Sequence, residues 1–275
     1  MSTRPHGAAI RELTEDDAAW AAGLMERRRQ VYAGYSPVFW RPRPGVTGLH
    51  GRFLCRQIAA PDCVALRGDH GFIIGQRRTA QGRPGQGFVD DFAVDQDGSW
   101  DCDGAALLLA AWQRLSAAGC GSMRVVTANA DTPKSDMLRS LSLRLAEQWH
   151  VRELTSTPDT TEPVPKAVPA QKAEPAQKAV PAANAARPAA HRRVSGTGFS
   201  GLFGSAPPVY DPGGPVLQAD TLDAEADLAT VEREAAALGA VLLIIAATPG
   251  TPRSAELDGM PGWSVASDWY DGQPG

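Results

Sequence analysis

The sequence has few features that would staple, anchor or metallate it. Four cysteines, Cys55, Cys63, Cys102 and Cys120, show no CxxC spacing and are too few to cross-link 275 residues, which excludes a disulfide scaffold. Five histidines, at 6, 50, 70, 150 and 191, are scattered without ligand spacing, so no metal is expected. The longest apolar run, Ala240 to Ala247, is far below the ~18 residues of a membrane span, and the first thirty residues hold no secretory apolar core. A cytoplasmic protein without a membrane partner is the expectation. Net charge is −4 at pI near 5.8, which gives no general attraction to nucleic acid. The signatures GxxxxGK(S/T), HExxH and GxSxG are absent.

Against these absences stands ordinary globular composition, 43% hydrophobic and 21% charged. The length suits one large or two modest domains. Composition changes after Leu154, where a Pro-, Ala- and Lys-rich stretch runs to Ser195 and repeats PAQKA at 169 to 173 and 175 to 179. So little apolar surface cannot offset ordering entropy, and the prolines favour an extended spacer. The expected division is therefore 1–154 as a full domain, 155–195 as a disordered linker and 196–275 as a partial domain. Formal charge divides unevenly among them, +2, +3 and −9.

Periodicity in the first segment alternates strand and helix. Ala9–Leu13 reads as a strand, Asp16–Arg29 and Leu49–Ala60 as helices, and Cys63–Arg67, Gly71–Gln76 and Gly87–Val94 as a meander with hairpin chemistry at Gly68-Asp69-His70-Gly71. An amphipathic helix follows over Gly104–Ala118, then strand Met123–Ala128, helix Ser135–Leu143 and strand Leu145–Leu154. After the linker come strand Pro215–Gln218, helix Asp223–Leu238, strand Val241–Ala247, a short helix near Ser254–Leu257 and the strand-like GWSVASDWY. No front strands are expected there. The class is α/β (α+β), a mixed, mostly antiparallel sheet flanked by helices, with a smaller C-terminal half-domain.

This order resembles the general N-acetyltransferase (GNAT) superfamily, and the tail resembles the second half of a further GNAT domain. The superfamily's pyrophosphate signature, V-x-P-x-x-R-G-x-G-x-G-x-A-L-L, falls on Val94–Leu108 as VDQDGSWDCDGAALL. Val94, Gly104, Ala106, Leu107 and Leu108 match; Ser99 replaces the Arg, and Trp100 and Cys102 replace glycines. The resemblance implies acetyl-CoA as co-substrate, held at Phe92, Ala93, Val94, Gly98, Ser99, Trp100, Gly104 and Ala105. It further implies transfer of an acetyl group to a small-molecule or peptide amine, with Asp90 or Asp91 taking the proton and Asn129 or Asp131 near the acyl end. On strict strand alternation, Phe92 and Val94 share the face of Asp90, and Val89 and Ala93 that of Asp91. The helix pattern A-x-x-L-Y-x-x-x-G-F falls on KSDMLRSLSL, with Lys134 at the Ala and Leu138 at the acid Tyr. Tyr32, Tyr35, Phe39 and Trp40 occupy the segment that shapes the acceptor pocket. The alternative is an inactive GNAT-like module used for ligand binding or protein contact. In either case the acidic C-terminal segment is expected to dock on the first and complete its sheet edge.

Overall fold

The computed structural model describes residues 9–79, 84–154 and 191–275. The PAQKA repeat lies outside them. Eleven strands form one sheet in the order β1-β2-β3-β4-β5-β11-β6-β10-β9-β8-β7. In the first half these are β1 (Arg11–Glu12), β2 (Cys63–Arg67), β3 (Gly71–Arg78), β4 (Gly85–Val94), β5 (Cys120–Ala128) and β6 (Arg144–Glu153). In the second they are β7 (Arg192–Gly196), β8 (Phe199–Gly204), β9 (Val216–Leu222), β10 (Leu242–Ala247) and β11 (Trp263–Gly272).

The helices are α1 (Ala18–Tyr35), α2 (Val46–Ile58), α3 (Ala105–Ala117), α4 (Thr132–Ser140), α5 (Leu228–Ala237) and α6 (Pro252–Gly259). The apolar stripe Leu107, Leu108, Ala111 and Leu115 of α3 is buried against Ile73, Val89 and Phe92 of the sheet. On the opposite face Ala21, Ala22, Leu24 and Met25 of α1 and Leu54 of α2 meet Phe72, Ile74 and Ala93. In the second half α5 and α6 cover Leu217, Leu243 and Ile245 through Val231, Ala235 and Leu257.

The order of strands is a pseudo-two-fold about the β6–β11 pair, because β11 lies between β5 and β6 while β6 lies between β11 and β10. Each half therefore gives its last strand to the other. Two departures from the sequence expectation concern the second half. Arg192 and Arg193, expected in the linker, open β7, and the antiparallel strands β7 and β8 supply the front strands that the segment was expected to lack. Two more concern the first half: β1 shortens to Arg11–Glu12, and α1 runs to Tyr35.

Candidate functional site

Strands β4 and β5 pair in parallel from Gly85/Cys120 to Val89/Val125 and no further, although β4 continues to Val94 and β5 to Ala128. Their C-terminal halves diverge, which leaves inward carbonyl groups without a ladder partner. Lys134, in the first turn of α4, fills the opening. Its Nζ donates to Val126 O at 2.9 Å and Phe92 O at 3.5 Å, and the side chain is 2% exposed. The ammonium also lies 5.1 Å from the ring centre of Phe92 and 5.3 Å from that of Trp100, within cation–π range. Burial pulls its pKa from 10.5 down to about 8, against the opposing pull of Asp131.

The connection from β4 to α3 completes the block. Trp100 begins a widened π turn over Trp100–Gly104, and its ring is buried edge-on against Phe92 at 4.9 Å. A Cβ on Gly104 would stand 2.7 Å from that ring, so the glycine of the family signature is required here by tryptophan. Arg28 of α1 lies 5.4 Å from the other side of Trp100 and pairs with Asp97 and Asp131. Asp131 also accepts from Tyr32 Oη at 2.8 Å and from the backbone N–H of Lys134 at 3.4 Å. Thus buried Arg28 is already matched to two carboxylates, exposed Arg27 lines a pocket with Asp95 and Asp97 beside it, and Asp97, Asp101 and Asp103 make the loop acidic. A pyrophosphate needs converging N–H groups or free cations. This loop departs from the family signature at Ser99, Trp100 and Cys102.

The predicted binding residues therefore fall into two groups. Phe92, Val94, Trp100 and Gly104 belong to the closed cleft or its core, with Ala105 packed against it. Gly98 and Ser99 lie in the short turn before Trp100. Ala93 faces the α1/α2 core instead.

On that second face a β-bulge changes the reading of the aspartates. Ile73 pairs with Phe92 and Gly75 with Val89, so Ile74 alone faces both Asp90 and Asp91. Strict alternation is broken: Val89, Phe92 and Val94 share the α3/α4 core, while Asp90 and Asp91 both turn toward α2. Asp91 is buried and meets His50 Nε2 at 2.9 Å. Asp90 keeps an exposed surface. Desolvation first, and then the charge of Asp91, raise its pKa from 3.8 to about 6, with Lys134, Arg78 and His50 pulling the other way.

Tyr210 of the second half lies near enough for the charges of Asp90 and Asp91 to act on it. Arg43 N–H donates to Val209 O at 3.1 Å and Asp211 N–H to Arg41 O at 2.9 Å, which seats Tyr210 on Trp40 with ring centres 5.3 Å apart. Arg29, buried beneath, lowers the pKa of Tyr210 against a larger upward push from burial. An aromatic line continues over the seam: Phe39 to Trp149 at 6.2 Å, Trp149 to Trp269 at 4.9 Å and Trp269 to Phe88 at 5.5 Å. Of the acceptor aromatics expected from sequence, Tyr32, Phe39 and Trp40 take part in these contacts, and Tyr35 stacks on Tyr32 while remaining exposed. Asn129 lies apart from Asp90 and Asp91, donating to both oxygens of buried Asp268 at 3.1 and 3.2 Å. Sequence reasoning missed His50, Arg29, Tyr210 and Trp269, which are brought to this part of the sheet only through the packing of helices and the exchanged strand. Among the described residues no group of three or more metal-ligating side chains is assembled, and no helix is long and apolar enough to cross a membrane.

The sequence matches no family model and no curated protein. Solved structures do match along the whole chain. A provisionally described acetyltransferase from Thermoplasma acidophilum aligns over 96% of this chain and 99% of its own at TM-score 0.57 and 11% identity. A tandem GNAT protein from the clavulanic acid biosynthesis pathway aligns over 97% and 98% at TM-score 0.48 and 11% identity. The fold is that of the acetyltransferases. More particularly, it is the GNAT fold, with its mixed sheet and flanking helices extended across two halves.

Proposed function

We propose that this protein is a tandem GNAT-fold module that binds an amine-bearing small molecule or peptide and does not use acetyl-CoA. The observation that carries the reading is the Lys134 ammonium between the carbonyls of Val126 and Phe92, where the fold family places its cofactor. The amine is suggested by Asp90, an exposed carboxylate on the strand that also carries Phe88, whose ring meets Trp269. Calorimetric titration of the full-length protein with acetyl-CoA to millimolar concentration is expected to give no saturable heat and no thermal stabilisation. Saturable micromolar binding would overturn it.

Asp90 also favours a second reading, acetyl-CoA-dependent N-acetyl transfer to that amine. A carboxyl with its pKa raised to about 6 is a serviceable proton acceptor near neutral pH. This reading requires both cofactor binding and amine-dependent release of the coenzyme thiol. The same titration, followed by a thiol-release assay over a panel of amines, separates the two.

A further inference from the structure

On the face of the sheet opposite α3 and α4, the charges of β3, β4 and β5 are matched unequally. Arg124 of β5 donates to both oxygens of Asp271 at 2.8 Å and to Glu147 at 3.5 Å. Arg78 of β3 and Asp90 of β4 are exposed, and among the described residues neither has a hydrogen bond or an ion pair; they feel their neighbours through space alone. Their positions follow from the register. Gln76 pairs with Phe88 and Arg78 with Gln86, so Arg78 shares the face of Phe88 one diagonal away, and its guanidinium carbon lies over that ring, 3.4 Å from the centre. Val89 points into the α3/α4 core, so Phe88 and Asp90 both point away from it. A free guanidinium and a free carboxylate thus flank one aromatic ring, separated by about 7 Å along the strand.

This juxtaposition bears on what Asp90 can hold. An ammonium drawn to Asp90 comes within one screening length, about 8–10 Å, of the Arg78 guanidinium and is repelled by it. A negative group at the other end of the same ligand turns that repulsion into attraction. A guanidinium offers paired N–H donors that match a carboxylate, and no protein carboxylate competes for those of Arg78 among the described residues. The other groups whose charge acts on Asp90 in the same sense, Lys134 and His50, are each 2% exposed and are engaged with Val126 O and Asp91. They do not meet a ligand on this face. Phe88, half-buried and in contact with Trp269 at 5.5 Å, supplies apolar surface between the two charges.

We propose that the ligand of this face is a short aminocarboxylate, with its ammonium on Asp90, its carboxylate on Arg78 and its methylenes beside Phe88. The proposal rests on the reading that an amine is bound at Asp90, and it adds the charge at the ligand's other end. A plain alkylamine keeps the attraction of Asp90 and suffers the repulsion of Arg78. An alkylcarboxylate has the reverse problem, and only the zwitterion satisfies both groups.

The test is calorimetric titration of the full-length protein with 5-aminopentanoate, n-pentylamine and pentanoate at matched ionic strength and pH 8, above the Asp90 pKa of about 6. In wild type, 5-aminopentanoate should bind about five- to tenfold tighter than n-pentylamine, and pentanoate should be the weakest of the three. Arg78→Met keeps a long side chain over Phe88 without its charge, and it should bring the two amines to within about twofold of each other. Added salt should shrink the wild-type difference in the same direction. Asp90→Asn should abolish binding of both amines. Equal affinities of the two amines for wild type, or a preference that survives Arg78→Met, would overturn the aminocarboxylate and leave the amine reading at Asp90 standing. No saturable binding of either amine up to ~50 mM, or binding unchanged by Asp90→Asn, would sink the two together.

Discussion

Replacing Lys134 by methionine keeps most of the side-chain volume and removes the charge, so it isolates the electrostatic cost of the closed cleft. The fall of the lysine pKa from 10.5 to about 8 means that the folded protein holds this proton less tightly than the unfolded chain. At ~1.4 kcal/mol per pH unit, that difference is a penalty of about 3 kcal/mol wherever both states are protonated, which is below pH ~8. Between pH ~8 and ~10.5 the unfolded chain binds more protons, so the wild type gains stability as pH rises through that window. The methionine variant has no such proton. It leaves the carbonyls of Val126 and Phe92 without their donor, at about 1–3 kcal/mol per buried acceptor. Wild type and variant should therefore be nearly matched at neutral pH, and wild type should be ahead by about 2 kcal/mol near pH ~10. Urea unfolding of both proteins across that range measures the difference, and ionisations common to the two cancel. A difference that stays flat within ~0.5 kcal/mol would show that Lys134 is not held charged in a dry cleft.

Four other outcomes follow from the same geometry. Trp100→Ala removes a 1% exposed ring and should cost about 3–5 kcal/mol in urea unfolding; calorimetry should still show no acetyl-CoA binding while Lys134 remains. His50→Ala strips the 2.9 Å partner from buried Asp91, and a loss of about 3–5 kcal/mol is expected by denaturation; a loss below ~1 kcal/mol would mean that the pair is hydrated. Asp90 has its pKa raised in the fold, so its contribution to stability falls as pH rises from about 4 to about 6; Asp90→Asn should flatten that slope and be the more stable protein at neutral pH, read from melting midpoints. A chain ending at residue 154 leaves one long edge of β5 and both edges of β6 without the partners β11 and β10, so light scattering should show aggregation, and co-expression with residues 191–275 should restore a monodisperse complex.

Much of the element order is legible because it depends on local pattern. The stripe of α3, the meander β2–β4 and the apolar β10 each carry their own periodicity, and β2 occupies the expected Cys63–Arg67. The missed strands β7 and β8 have the opposite character: RRVSG and FSGLFG are rich in glycine and serine, and they become strands through pairing with β9. The reciprocal exchange is illegible for another reason. Trp263–Gly272 is placed against Cys120–Ala128 by contacts more than a hundred residues apart, which no local pattern encodes. The bulge at Asp90 and Asp91 likewise depends on the register of β3. One signal was present in the sequence. Lys134 stands where the family helix has alanine, and it is the single lysine outside the Pro/Ala-rich stretch.

That substitution supplies the donor that the splayed strands themselves lack. Where β4 and β5 separate, neither strand can satisfy the carbonyls of Phe92 and Val126, and a bare gap would expose them and forfeit packing on Phe92 and Trp100. Either a ligand must enter or the chain must fill the space itself. A lysine three residues past the N-cap of α4 can reach both carbonyls while leaving the helix intact, because its long stem crosses the gap and only its ammonium is polar. With that opening filled by Lys134, a ligand held at Asp90 would lie near Tyr210, on which the charge of Asp90 already acts, so its affinity should depend on Tyr210 of the second half as well as on Asp90.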